Sequence, residues 1–353
     1  MFLKKKLAEK IASEGPLSIS KFMEICLWDC DDGYYSKKQI IGKKGDFITS
    51  PELSQTFGEL IGAWSLSYHL NKFKDKKLTL LELGPGKGTL MSDALRAISK
   101  IKKSKIETEA YLLEKSSVLK SIQQKKLLGF NVKWINNIKK MPAKPLVIIA
   151  NEFFDALPIN QYVKVGSGWR ERKIAIKNNK FYITLDKKIM RFKTNYFNNT
   201  PIGGVIEYSF ESMKILSIIC EHVKNFGSIA LIIDYGETFG FGDTLQAVRS
   251  HAPEFILDNP GESDLSSHVN FSILAKVALE RDLFVSPIIE QFKFLKNLGI
   301  ENRLEQLIKL NSGKKIDSEI NGIKKLIDPK SMGTLFKVFA IFDSKGSNIE
   351  GFT

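Results

Sequence analysis

The chain has 353 residues, 43% of them hydrophobic and 26% charged, with a formal charge of +14. That length supports one large domain with an appended part and a core that needs no covalent staples, and the balance is that of a globular protein rather than a disordered or fibrous one. No stretch reaches the roughly 20 uninterrupted apolar residues of a spanning helix, and Cys26, Cys30 and Cys220 form neither a CxxC pair nor a Cys/His cluster of zinc spacing, which argues against a metal site and fits a reducing compartment.

The start, MFLKKKLAEK, is basic but too short in its apolar part for a signal peptide, and Glu9 argues against a transit peptide; it reads as an amphipathic helix. Gly15-Pro16 ends that helix, and Ser18 or Ser20 opens another through Leu27. After a loop, Ser50 suits an N-cap, Pro51 a first helical position and Glu52 the positive end of the dipole, for a helix through about Leu70 with Phe57, Leu60, Ile61 and Trp64 on one face. From residue 78 short apolar runs take over: 78–84, 111–116, 131–137, 145–158 and 228–237. Helical stretches at 88–100 and 116–127 lie between the early ones. Apolar strands alternating with helices predict a doubly wound, mostly parallel α/β sheet. Residues 173–185 alternate about Asn178-Asn179, an antiparallel hairpin signal, and 332–343 reads as a last, antiparallel strand near the sheet edge. The implied division is an N-terminal helical region with a lid (1–77), the first half of the core (78–162), a β-hairpin insertion (163–205) and the second half of the core with further insertions (206–353).

In such a sheet ligands lie beyond the carboxyl ends of the strands. The first strand runs from Glu82 into Gly84, Gly86 and Gly88, a spacing that lets the backbone turn sharply and approach a ligand. A dinucleotide fingerprint needs a third glycine where Thr89 stands, and a P-loop needs Gly-Lys-Thr contiguous, which Gly88 interrupts; the spacing therefore favours S-adenosylmethionine (SAM) over NAD or ATP. Glu114 ends the second strand, where a carboxylate accepts from both ribose hydroxyls. Asn136 and Asn137 end the third, beside an adenine edge or simply as turn formers. Asn151, Glu152 and Asp155 end the fourth, facing the methyl donor, where carboxylates can grip a cationic acceptor such as a guanidinium. Asp155 is equally able to cap the next turn. His251 and His268 have no Ser or Cys elbow near them, which argues against a hydrolase triad.

Several segments together resemble the MidA family of SAM-dependent methyltransferases, which includes the mitochondrial complex I assembly factor: 45–64 (GDFITSPELSQTFGELIGAW), 80–96 (LLELGPGKGTLMSDALR), 150–163 (ANEFFDALPINQYV), 234–274 and 332–341. The resemblance implies a seven-stranded, Rossmann-like class I methyltransferase sheet. It implies SAM held by Glu82, Gly84, Gly86, Gly88, Glu114, Asn136 and Asn151, with Thr49 and Pro51 in a lid segment. It further implies Asn151, Glu152 and Asp155 on the acceptor side; His268 or His251 is then a candidate catalytic proton relay, and the cysteine spacing gives no metal. The activity implied is methylation of an arginine of the 49-kDa-type subunit of respiratory complex I, needed for its assembly, in a bacterial cytosol or, for a eukaryotic source, the mitochondrial matrix. A homodimer is left open. A small-molecule or nucleic-acid methyltransferase and a SAM-binding assembly chaperone are the rival readings. The nucleic-acid one is disfavoured because Asn151-Glu152-Phe153-Phe154 lacks the prolines of an Asn-Pro-Pro-aromatic tetrad, and because the positive charge reads as lysine-rich solvated faces.

Overall fold

The computed structural model describes residues 2–36, 49–73, 77–101, 106–192, 197–238, 240, 242–309, 314–344 and 349–352. The chain divides into two units. Met1–Phe47, Asp155–Lys214 and Thr238–Ile273 make the first, and Ile48–Phe154, Ile215–Glu237 and Leu274–Thr353 the second.

The second unit contains the sheet that the apolar runs predict. Its main strands are β1 (Lys77–Leu83), β2 (Glu107–Leu113), β3 (Val132–Ile135), β4 (Val147–Asn151), β5 (Ile229–Glu237), β6 (Phe284–Val285) and β7 (Phe336–Phe342), and the two-residue strand Ile289–Glu290 also pairs with β7. They lie in the order β6-β7-β5-β4-β1-β2-β3. Pairing from β5 to β3 is parallel throughout, and β7 runs antiparallel to β5 and β6. β4 is buried along its whole length and β1 from its second residue, as strands covered on both faces should be. The helices that matter for the site are α1 (Ser50–Leu53), α2 (Gln55–Lys72), α3 (Thr89–Lys100) and α4 (Ser117–Lys126). α2 and α3 approach closely because Gly62 has no side chain: a Cβ there would meet Ala94 Cα at 2.7 Å.

Two local expectations are corrected. The single helix from residue 50 to about 70 is broken. Thr49, not Ser50, is the N-cap of α1, and Ser54 stands extended (φ −151°, ψ 128°) with its side chain accepting from the Thr56 N–H to cap α2. The last strand begins later than its apolar run, because Met332–Leu335 form a helical turn.

The first unit is α+β. Helices Phe2–Glu14 and Ile19–Trp28 accompany an antiparallel sheet ordered 17–18, 168–177, 160–165, 205–208, with 180–190 paired onto 168–177. Asn178 and Asn179, both at positive φ (49° and 61°), make the tight turn of that hairpin. Leu7, Ile19, Phe22, Met23 and Ile174 are buried in its core. Among the described residues, no helix of either unit is long and apolar enough to cross a membrane.

Candidate functional site

Strand order decides where a ligand can lie. β2 and β4 flank β1 on opposite sides, so the chain leaves β1 in one direction and returns to the other side through β4. A crevice opens at the carboxyl ends of the strands at such a reversal. Gly84, Gly86 and Gly88, at φ 61°, 51° and 76°, carry the backbone out of β1 in left-handed conformations that other residues adopt at a cost. The Gly84 N–H donates to Leu113 O at 3.1 Å, and the Gly88 N–H closes the loop onto Pro85 O at 2.7 Å. A Cβ at Gly84 would stand 2.8 Å from Phe153 Cδ2, so this position is closed to larger residues by space as well as by φ. α3 starts directly after Gly88, presenting the positive end of its dipole at the loop.

Glu114 follows β2, and its N–H donates to Ile135 O at 3.0 Å. Its carboxylate is buried; Oε1 accepts from the Ser116 N–H at 2.7 Å and Oε2 from Gln123 Nε2 at 2.9 Å, with the Lys115 N–H a further, weaker donor. Burial raises its pKa, and these donors oppose the rise. The same Gln123 Nε2 donates to Gly86 O at 2.7 Å, and Gln123 Oε1 accepts from Trp134 Nε1 at 2.8 Å. Gln123 was not among the expected site residues. Its one sequence signal is a polar residue four positions after Leu119, on the stripe of α4 that faces inward. Glu82, the penultimate residue of β1, is buried, and its Oε2 has no hydrogen-bond partner. Burial, with the Glu114 carboxylate as a smaller contribution, pushes its pKa up to about 8.

At the end of β4, Glu152 sits at φ 50°, an uncommon conformation for a residue with a side chain, while its N–H still donates to Ile233 O at 2.9 Å. Its Oε1 accepts from the Ser50 N–H at 2.7 Å and from Asn151 Nδ2 at 3.2 Å. Burial raises the Glu152 pKa against these two donors. Asn151 is buried, with Oδ1 lacking a partner. Asp234 at the end of β5 has a structural duty: Oδ2 accepts from the N–H groups of Phe153 (3.1 Å) and Phe154 (2.9 Å), and Oδ1 from that of Tyr235 (3.0 Å). It fixes the turn that presents Glu152.

The segment carrying Thr49 and Pro51 is tied to the glycine loop through Glu52, which accepts from Thr89 Oγ1 and pairs with Lys87 (3.5 Å) and, more loosely, Lys126 (3.9 Å). Lys87, between Gly86 and Gly88, is thus held by Glu52. Residues 45–48 of the expected lid lie outside the described residues. Asn136 is exposed and accepts from Lys140 at 3.2 Å, while Asn137 caps the short turn after β3 through Lys139 N–H. Asp155 and His268 belong to the first unit. The Asp155 carbonyl accepts from the Ser267 N–H at 3.0 Å, and the His268 N–H donates to Thr244 Oγ1 at 2.9 Å. His251, exposed at φ 63°, is a hairpin-turn residue between strands 246–249 and 252–254. Chemically, the strand ends of the second unit offer a backbone cradle, a buried carboxylate fixed by donors on both oxygens, and further acidic groups suited to a cation.

Comparison with known proteins agrees with that chemistry. Residues 60–288 match the model of a family described as "Putative S-adenosyl-L-methionine-dependent methyltransferase". The chain is 33% identical to the mitochondrial protein arginine methyltransferase NDUFAF7 of Xenopus tropicalis, over 94% of this chain and 84% of that one. It is 30% identical to the Homo sapiens protein of the same name, over 95% and 82%. Its fold superposes on a Burkholderia thailandensis protein crystallised with S-adenosyl-homocysteine bound, at TM-score 0.86 and 24% identity, covering 99% of this chain and 94% of that one.

Proposed function

Because this chain belongs to the family of S-adenosyl-L-methionine-dependent methyltransferases, we propose that it transfers the methyl group to an arginine of a partner protein, the 49-kDa-type subunit of respiratory complex I, as a step in that complex's assembly. The observation that carries the acceptor class is similarity along nearly the whole chain, 94–96%, to proteins named protein arginine methyltransferases. The residues at the strand ends fit the cofactor: a loop of three left-handed glycines, a buried carboxylate fixed by donors on both oxygens, and a buried acid with an orphaned oxygen.

In this reading Glu114 accepts from the ribose hydroxyls, the 84–88 backbone cradles the amino-acid part, and Glu82 meets its ammonium. The cofactor, when bound, supplies an electrophilic methyl on a cationic sulfonium. Asn151 and Glu152 stand at the acceptor side. A guanidinium keeps its proton at neutral pH, so the contribution of Glu152 is to orient it and to stabilise positive charge as one nitrogen's lone pair localises toward the methyl. The donors on its Oε1 keep that carboxylate fixed before the acceptor arrives. Asp155 as a second acidic contact and His268 as a proton relay are part of the proposal, each tested by its own conservative variant, Asp155→Asn and His268→Gln.

The test is transfer of labelled methyl from SAM into protein of a lysate from cells lacking this chain, with the modified residue identified by mass spectrometry. The expected result is label on arginine of one main acceptor, lost with Glu152→Gln while S-adenosylhomocysteine binding by that variant persists. Label in RNA, DNA or a small molecule with none in protein would overturn the acceptor assignment.

A further inference from the structure

The polar contacts of Gln123 serve no secondary structure. Gln123 is 0% exposed, lies on α4, and reaches three separate elements: the glycine loop through Gly86 O, the end of β2 through Glu114 Oε2, and β3 through Trp134 Nε1. We propose that Gln123 is a positioning residue for the cofactor, locking the ribose-binding carboxylate of Glu114 to the glycine loop so that both present one preformed surface. This rests on the SAM-binding reading above.

The orientation of the amide is fixed by chemistry. An indole N–H only donates, so the atom facing Trp134 is the amide oxygen, and the NH2 group is turned toward the two acceptors. Its donors are thereby committed, to Gly86 O at 2.7 Å and to Glu114 Oε2 at 2.9 Å. Two consequences follow. The Gly86 carbonyl is drawn toward α4, and because a trans peptide points its C=O and N–H in opposite directions, the Lys87 N–H is turned away from α4. With Ser116 N–H on Oε1, the Glu114 carboxylate is held from both ends, which fixes its plane toward the two hydroxyls of a vicinal diol. Space agrees: a Cβ at Gly88 would meet Gln123 Cγ at 3.3 Å, so the loop is packed on this side chain as well as hydrogen-bonded to it. A purely structural glutamine would hold the loop in place without bearing on which sugar is accepted.

The experiment is calorimetric titration of S-adenosylhomocysteine and of its 2′-deoxyribose analogue into the unaltered chain, Gln123→Met and Trp134→Phe, with circular dichroism to confirm folding. Gln123→Met keeps length and burial but removes all three bonds; Trp134→Phe removes only the donor that orients the amide. Expected is a loss of S-adenosylhomocysteine affinity of roughly ten- to a hundredfold in Gln123→Met, the range of a lost hydrogen bond to a charged group. The deoxy analogue should lose much less, so discrimination between the two sugars collapses. Trp134→Phe should move the same ratio in the same direction by a smaller factor, and it decides the matter should Gln123→Met fail to fold. Equal weakening of both ligands, or no weakening, in the folded variants overturns the positioning role while leaving SAM binding intact. No uptake of S-adenosylhomocysteine by the unaltered chain would overturn the cofactor reading itself.

Discussion

Glu82 gives the site a measurable signature in the stability of the ligand-free protein. The residue is 3% exposed, and its pKa rises from 4.5 to about 8 because burial disfavours the charged form. Between those values the unfolded chain has released this proton and the folded chain still holds it. The folded state then binds more protons, and stability falls as pH rises. The contribution of Glu82 is fully present below pH 4.5, is lost progressively up to about pH 8, and is constant beyond. At ~1.4 kcal/mol per pH unit, that window amounts to on the order of 5 kcal/mol. Glu82→Gln keeps the shape and has no proton to lose. Urea unfolding of both proteins from pH 5 to pH 9 isolates the effect, because every other titrating group cancels in the difference. The variant should gain on the parent by ~1 kcal/mol per pH unit through neutrality and level off near pH 8. Stability curves that stay parallel from pH 5 to pH 9 would refute the argument and would mean that Glu82 is ionised in the folded, ligand-free state.

The same acid predicts proton traffic on binding: a cationic ligand meeting Glu82 should release close to one proton at pH 7, read by calorimetry in buffers of different ionisation enthalpy, and Glu82→Gln should abolish the release. Gly84→Ala meets both a φ of 61° and the Phe153 ring at 2.8 Å, so S-adenosylhomocysteine affinity should fall tenfold or more (~1.4 kcal/mol), with Phe153→Leu in the same chain restoring part of it. Glu52→Gln removes partly exposed ion pairs with Lys87 and Lys126, contacts worth ~0–1 kcal/mol, and should raise the KM for SAM by about threefold with kcat unchanged. Asp234→Asn turns an amide NH2 toward backbone N–H donors that now meet a carboxylate, and the urea midpoint should register a loss of ~3 kcal/mol.

What was legible in the sequence was local. The glycines at 84, 86 and 88, the acid ending β2 and the Asn178-Asn179 turn all announce themselves because their physics lies within a few residues: a backbone conformation, a strand end, a two-residue turn. What was missed depends on partners far along the chain. The break between α1 and α2 is a case in point. Ser54 and Thr56 give their donors to Glu319, with Ser54 Oγ–Oε1 at 2.5 Å and Thr56 N–Oε1 at 3.0 Å. Gly322 comes so close to this corner that a Cβ there would meet Leu53 O at 2.0 Å. No window around residue 54 contains that information. Asp234 belongs to the same class, since its duties are to Phe153 and Phe154, some 80 positions earlier. Gln123 lies between the two cases: its position on the buried stripe of α4 could be read, but the reason for it, Trp134 and Gly86 on opposite sides of its amide, required the strand order.

Four acids stand at strand ends of the second unit, and spacing alone ranks them equally. Their donors separate them. Asp234 accepts from three backbone N–H groups and is accounted for by the protein itself. Glu114 is held on both oxygens, by the Ser116 N–H and by Gln123 Nε2. Glu152 takes its donors on one oxygen, at a strained backbone angle. Glu82 has a buried oxygen with no partner at all. Leaving a buried polar atom unmatched costs about 1–3 kcal/mol, and grouping acids without cations adds to that cost. In a chain of net charge +14, with Lys and Arg to spare, none of these three carboxylates forms a salt bridge among the described residues. An arrangement of that kind is stable enough to keep and is relieved when positive charge arrives from outside. A sulfonium nucleoside with a free ammonium, and after it a guanidinium, are ligands of the right sign for that order of events.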